Sequence, residues 1–261
     1  MAEAYTDNVL IRTYLDTVRE WQEQHTRELS QPYSYPDTWD YATLQQKFAE
    51  GMRFPHISFS AWGEAASEHE LNQAAVDLSS QTDPRKLEAY LSIFQKRVFP
   101  LDLELLIPFI AHDDEMVRTR AFDALALIAH PIVRSLALHL IQSGTHVGDA
   151  VGLLNANFER EDWSIIQAIT AQPLDNPMEH HILQVNVRHI AETHPDPASI
   201  DAVKNMCEFG PCTQCREWDL EMLWKQGALT DTMREECRYD ANMRIRTLIR
   251  NNFQREETDE E

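Results

Sequence analysis

The segment CEFGPCTQCREW, residues 207–218, carries three of the chain's four cysteines in the spacing C-x4-C-x2-C, and Cys237 follows in EECRYD. Sulfur at such spacing can hold a metal, exchange disulfides or attack an electrophile. Cys212 and Cys215 stand three residues apart, which puts them on one face if the segment is helical. Cys207 ends the helix expected before them and Cys237 ends the helix expected after, so four thiolates could join three helices around a tetrahedral zinc ion. The same order of cysteines occurs around [2Fe–2S] clusters, but those need a loop that wraps the cluster. Pro211 instead opens a helix, so iron–sulfur ligation is excluded. A helix N-terminus lowers a thiol's pKa, which favours Cys212 as a reactive group. No strand–helix–strand pattern of a dithiol oxidoreductase surrounds it. The reading carried forward is that the four sulfurs are buried packing groups, as free cysteine commonly is. Cys207, Cys212, Cys215 and Cys237 remain zinc candidates, and no cofactor and no catalytic residue are expected.

Histidine is the other metal-binding type in quantity. MEHHILQVNVRHIAETH holds His180, His181, His189 and His194. On one helix His181 and His189 lie about 80° apart, too far round for an ideal ligand pair. Phosphate-binding glycine loops and the G-x-S-x-G nucleophile turn are absent from the sequence, so nucleotide-dependent and hydrolase chemistry of those types is not expected.

These side chains must be positioned by helices. Only 7 of the 261 residues are glycine, and the apolar residues recur at spacings of three and four. Helices are expected over Tyr5–Leu29, Trp39–Gly51 and Gly63–Ser79, with MRFPHISFS irregular between the last two. From Asp83 onward, segments of helical length alternate with short turns: RKLEAYLSIFQKR, LELLIPFIAH, DDEMVRTRAFDALALIAH, and a fourth from Pro131. Taking the turn before each helical pair gives Asp83, Asp113, His146, Met178, Cys212 and Asp240. The steps are 30, 33, 32, 34 and 28 residues, the period of stacked helical hairpins.

The text of these units resembles HEAT repeats. In DDEMVRTRAFDALALI, Asp114 precedes Arg118 by four residues and the small Ala121 and Ala124 follow. DANMRIRTLIRN repeats the offset at Asp240 and Arg244, and CTQCREWDLEML puts Cys212 and Arg216 at the two positions. KLEAYLSIFQKRVFPLD and the longer string from Pro211 are similar to a bacterial group of HEAT-repeat proteins. The resemblance implies an all-α, HEAT-like superhelix of stacked hairpins over 83–253, an N-terminal helical extension or cap over 1–82, and an acidic disordered tail over 254–261. It also implies an Asp–Arg ladder between units and no particular activity. HEAT-like hydroxylases with a di-iron centre use repeated His–Glu pairs in facing units. Here only His69-Glu70, Glu179-His180 and His112-Asp113 come near that pattern, so such a centre is not expected. Alkylpurine DNA glycosylases of similar architecture need a basic face, and Asp162-Trp163 stands in acidic surroundings.

Charge narrows the function further. The formal net charge is −20. Such a surface repels nucleic-acid phosphates and anionic lipid and attracts basic partners. No apolar run reaches membrane-spanning length and no signal-peptide pattern opens the chain, so a cytoplasmic protein is expected. The function expected is a non-enzymatic protein-interaction module that presents an acidic curved surface to a basic protein, for instance as an inhibitor or immunity-like partner. The alternative is a structural-zinc or thiol-dependent protein that uses Cys212, Cys215 and Cys237.

Overall fold

A computed structural model of the chain describes residues 38–52 and 55–250. The helix expected over Tyr5–Leu29 and the acidic tail lie outside the described residues. Among those described, every regular element is a helix and there is no strand. No helix among them is long and apolar enough to cross a membrane. The α-helices, numbered here in order, are α1 (Tyr41–Ala49), α2 (Pro55–Ala65), α3 (Glu68–Leu78), α4 (Pro84–Ser92), α5 (Glu115–Leu125), α6 (Pro131–Ser143), α7 (Val147–Leu153), α8 (Asp162–Thr170), α9 (Pro177–Thr193), α10 (Ser199–Phe209), α11 (Thr213–Lys225) and α12 (Asp231–Cys237). A further helix covers 243–250.

Local chemistry explains the helix ends. Asp83 accepts a hydrogen bond from the Arg85 amide and is followed by Pro84 at the first helical position, where a missing N–H costs nothing. Asp114 caps α5 through the amides of Met116 and Val117. The single helix expected over Gly63–Ser79 is two helices. Ser67 and Glu70 form a reciprocal capping box that ends α2 and starts α3. The stretch expected to be irregular is helical from Pro55 onward. The helix expected in LELLIPFIAH is instead two 3-10 segments, Leu103–Leu105 and Ile107–Ala111. Pro108 has no N–H to offer and its ring crowds the preceding turn, so the chain closes the tighter Leu106→Leu103 and Phe109→Leu106 bonds.

Most helices pack on the next in sequence or on the one after that. The principal pairs are α2–α4, α4–α5, α5–α7, α6–α7, α7–α9, α8–α10, α9–α10 and α10–α11. One core runs from Tyr41 to Ile249 without a break at residue 83, with Trp62, Trp163, Phe59 and Phe94 among its largest buried side chains. Ala121 and Ala124 are fully buried, as small residues between close helices should be. Two helices that approach closely are α7 and α9. A Cβ built on Gly148 would lie 2.6 Å from the Glu179 carbonyl oxygen and 3.0 Å from the Leu183 nitrogen, so only glycine lets the two backbones meet there.

The arginine contacts differ from the expected Asp114–Arg118 and Asp240–Arg244 offsets. Arg118 makes its hydrogen bonds locally. It donates to the carbonyls of His112 and Asp113, which close the turn before its own helix. Its structural counterpart is Arg246, which donates to the Asp240 and Ala241 carbonyls, and Asn242 takes the capping place of Asp114 by accepting from the Arg244 amide. The true register is therefore two residues later than the Asp240–Arg244 pairing. Ion pairs that link elements include Arg134–Asp162 at 2.6 Å, Arg216–Asp240 at 3.6 Å and Arg244–Glu217 at 4.0 Å.

Candidate functional site

The start of α11 positions the sulfur atoms. Cys212 is the extended N-cap residue, and its Sγ accepts from the Cys215 amide at 3.4 Å. Sulfur is a weak acceptor, so this cap stabilises the helix less than the Asp, Asn or Ser side chains that cap α1, α3, α4, α5 and α9. Cys215 lies one turn into the helix and is buried. On α9, the imidazole Nδ1 of His181 stands 3.7 Å from Cys215 Sγ. Donor atoms of His181, Cys212 and Cys215 all lie within 4.8 Å of one another. Cys212 and His181 are half-buried, so the cluster is reached from outside.

Cys207 and Cys237 do not join this set. Arg216 follows Cys215 in the chain and so points about 100° round the helix. Its charge acts on both Cys207 and Cys237. The helix α11 thus sorts the four sulfurs into two groups, Cys212 and Cys215 with an imidazole, Cys207 and Cys237 with a guanidinium.

The electrostatics of the two groups differ. Burial pushes Cys207 up to about 12, helped by the Asp219 charge. Burial likewise raises Cys237 against the pull of Arg216. Cys215 is pushed up to about 12 by burial and by its contact with Cys212. Burial would also raise Cys212, but the amides of Cys215 and Gln214 outweigh it and hold this thiol below its ordinary value. Behind the cluster Asp219 is 1% exposed, and burial raises its carboxyl to about 7. Gln184 opposes that by donating to it at 2.6 Å, and donates to the Met206 carbonyl at 3.2 Å. A Cβ on Gly210 would sit 2.4 Å from Gln184 Nε2, so this bridge requires glycine at the turn before α11.

The other histidines lie elsewhere. His180 is buried, accepts from the Leu174 amide through Nδ1, and burial lowers its pKa. His194 stacks on Phe158, with Nε2 2.8 Å from the Asn155 carbonyl. His189 is exposed beside a separate cleft that Asn186 and Gln95 also line. Glu179 accepts from the Val147 amide at the start of α7. Asp162 is held by Arg134, and Trp163 is a 1%-exposed core residue.

Along the same α9–α11 seam runs an open groove of about 460 Å³, in which the Arg188 guanidinium lies 4.2 Å over the Trp218 ring. Chemically, the cluster offers two sulfurs and one nitrogen to a soft cation. Cys215 is a poor nucleophile, being buried and protonated. Sequence spacing within the cysteine segment does not include His181. The signal available was its offset of 34 residues from Cys215, the same as the step from Met178 to Cys212.

No protein-family model matches the chain, and searches of curated proteins and of solved structures return no match either.

Proposed function

We propose that this chain is a non-enzymatic interaction module, a HEAT-like stack of helical hairpins whose acidic exterior selects a basic protein partner. The architectural half is supported by the offsets at which side chains bridge helices. Glu179 to Val147, Gln167 to Ala198, His181 to Cys215 and Gln184 to Asp219 are separated by 32, 31, 34 and 35 residues. Contacts that recur at one repeat length are what stacked hairpins produce.

The functional half rests on how charge is distributed. Four half-buried cations, Arg97, Arg118, Arg134 and Arg246, donate to main-chain carbonyls, while others such as Lys47, Arg160, Lys225 and Arg244 are exposed. Carboxylates are turned outward, as at Asp113, Asp114, Glu115, Glu161, Glu235 and Glu236, all exposed. These four guanidinium groups hold turns together, and the excess of 43 Asp and Glu over 23 Lys and Arg makes the exterior carboxylate-rich. Such a field speeds encounter with a cationic surface and rejects anionic ones. The exposed Trp218 and Tyr239 are anchors of the kind that supply affinity at interfaces.

Affinity capture with the intact chain as bait, from native lysate at low and at high salt, tests this reading. It expects one stoichiometric, basic protein that leaves as salt rises. Recovery of nothing stoichiometric at low salt, or of an acidic protein held equally at both salts, overturns it.

A further inference from the structure

From the facing side chains of α9 and α11 we infer that His181, Cys212 and Cys215 form a zinc site that joins adjacent hairpins, with a fourth position open to solvent. Tetrahedral zinc with Zn–S of about 2.3 Å and Zn–N of about 2.0 Å sets sulfur and nitrogen ligands about 3.6 Å apart and two sulfurs about 3.8 Å apart. The Cys215 Sγ to His181 Nδ1 distance is 3.7 Å, and the whole donor set fits within 4.8 Å. A metal can therefore enter with little movement of either helix.

Three further observations favour a cation there. Two sulfurs and one imidazole are the donor types zinc prefers over harder ions. The Cys215 amide already points at Cys212 Sγ, the kind of N–H···S bond that stabilises a metal-bound thiolate. Cys212 and His181 are half-buried, so an ion can reach the donor atoms from solvent. A Cys212–Cys215 disulfide would make no use of His181.

Binding is balanced as one Zn²⁺ taken up and two thiol protons released, with His181 bound as the neutral imidazole, so the net charge of the site does not change. The ion would fasten α9 to the N-terminus of α11. These helices come from neighbouring hairpins and otherwise meet mainly through α10. This inference is independent of the proposed partner, since the site can hold zinc whatever the exterior binds.

The test loads the reduced full-length chain with Zn²⁺ and, separately, with Co²⁺. Expected are one zinc per chain after desalting, an X-ray absorption shell of two sulfurs near about 2.3 Å plus nitrogen or oxygen, and a tetrahedral cobalt spectrum with thiolate charge-transfer bands. Cys212→Ser, Cys215→Ser and His181→Asn should each weaken zinc affinity more than about tenfold, the loss at which even groups one step from the metal are felt. Cys207→Ser and Cys237→Ser should leave stoichiometry and the cobalt spectrum unchanged. The spectra of the unaltered chain decide the matter should a variant fail to fold. Four free thiols with no retained metal, a Cys212–Cys215 disulfide in place of metal, or a four-sulfur shell would each overturn the assignment.

Discussion

Removing the Arg134 guanidinium tests how this chain handles charge in its interior. Arg134, on α6, meets both carboxylate oxygens of Asp162 at 2.6 and 2.8 Å, the Asn157 carbonyl at 2.8 Å and Glu159 at 2.8 Å. Asp162 is 1% exposed, and its other hydrogen bond comes from the Glu159 amide at 2.8 Å. Arg134→Ala therefore strands a buried carboxylate with one N–H for company. Breaking such a pair from one side costs about 3–5 kcal/mol. An exposed pair is worth roughly 0–1 kcal/mol, so the two cases are well separated. For a chain of this size the larger figure lowers Tm by roughly 10 °C. Urea unfolding followed by far-ultraviolet circular dichroism reads the loss directly. Arg134→Lys keeps the charge but not the two-pronged geometry and should fall between. Adding Asp162→Asn to Arg134→Ala should recover part of the loss, because the stranded charge is gone. A loss under about 1 kcal/mol for Arg134→Ala would refute the reasoning, since it would mean that Asp162 finds water or another cation at no cost.

Other outcomes follow from the same physics. Gly148→Ala should destabilise by about 1–3 kcal/mol in denaturant titrations, because the new methyl meets main-chain atoms of α9 that have no rotamer to change. Asp149 is pushed up to about 7 from 3.8, first by burial and then by Asp123 and Glu179. Its contribution is thus complete below about pH 4 and lost as pH rises through about 7, and Asp149→Asn should gain roughly 2–3 kcal/mol over the unaltered chain between about pH 5 and about pH 8. Stability curves for the two proteins that run parallel with pH would remove this group from the account. Ser67→Ala breaks the capping box between α2 and α3 and should cost about 1 kcal/mol. A chelator should lower the Tm of the zinc-loaded chain and leave Cys212→Ser unmoved, as scanning calorimetry would show.

Legibility in the sequence followed the range of the interaction. Asp83-Pro84, Asp114 and Pro131 announced their helix starts because capping is decided within three residues. The split at Ser67 was readable in principle from S-x-x-E, but the apolar spacing ran across it and masked the break. The 3-10 path through Pro108 depends on which carbonyls the ring displaces, which periodicity does not register. The arginine register slipped by two because Asp240 and Asn242 are both good capping residues, and only the carbonyls contacted by Arg246 distinguish them. The cysteines were recognised as a group, yet a linear reading could not see that α11 would turn Cys207 and Cys237 toward Arg216 and leave Cys212 and Cys215 to His181. That pairing depends on how α9 packs beside α11, and its trace in the sequence is an offset of 34 residues.

The measurement that bears most directly on the central claim is an equilibrium titration of the captured partner against this chain at a series of salt concentrations. The account predicts affinity that falls steadily as salt rises, with the association rate falling more steeply than the dissociation rate grows. Affinity that stays constant or strengthens with salt would contradict it, because the carboxylate exterior would then not be what the partner recognises.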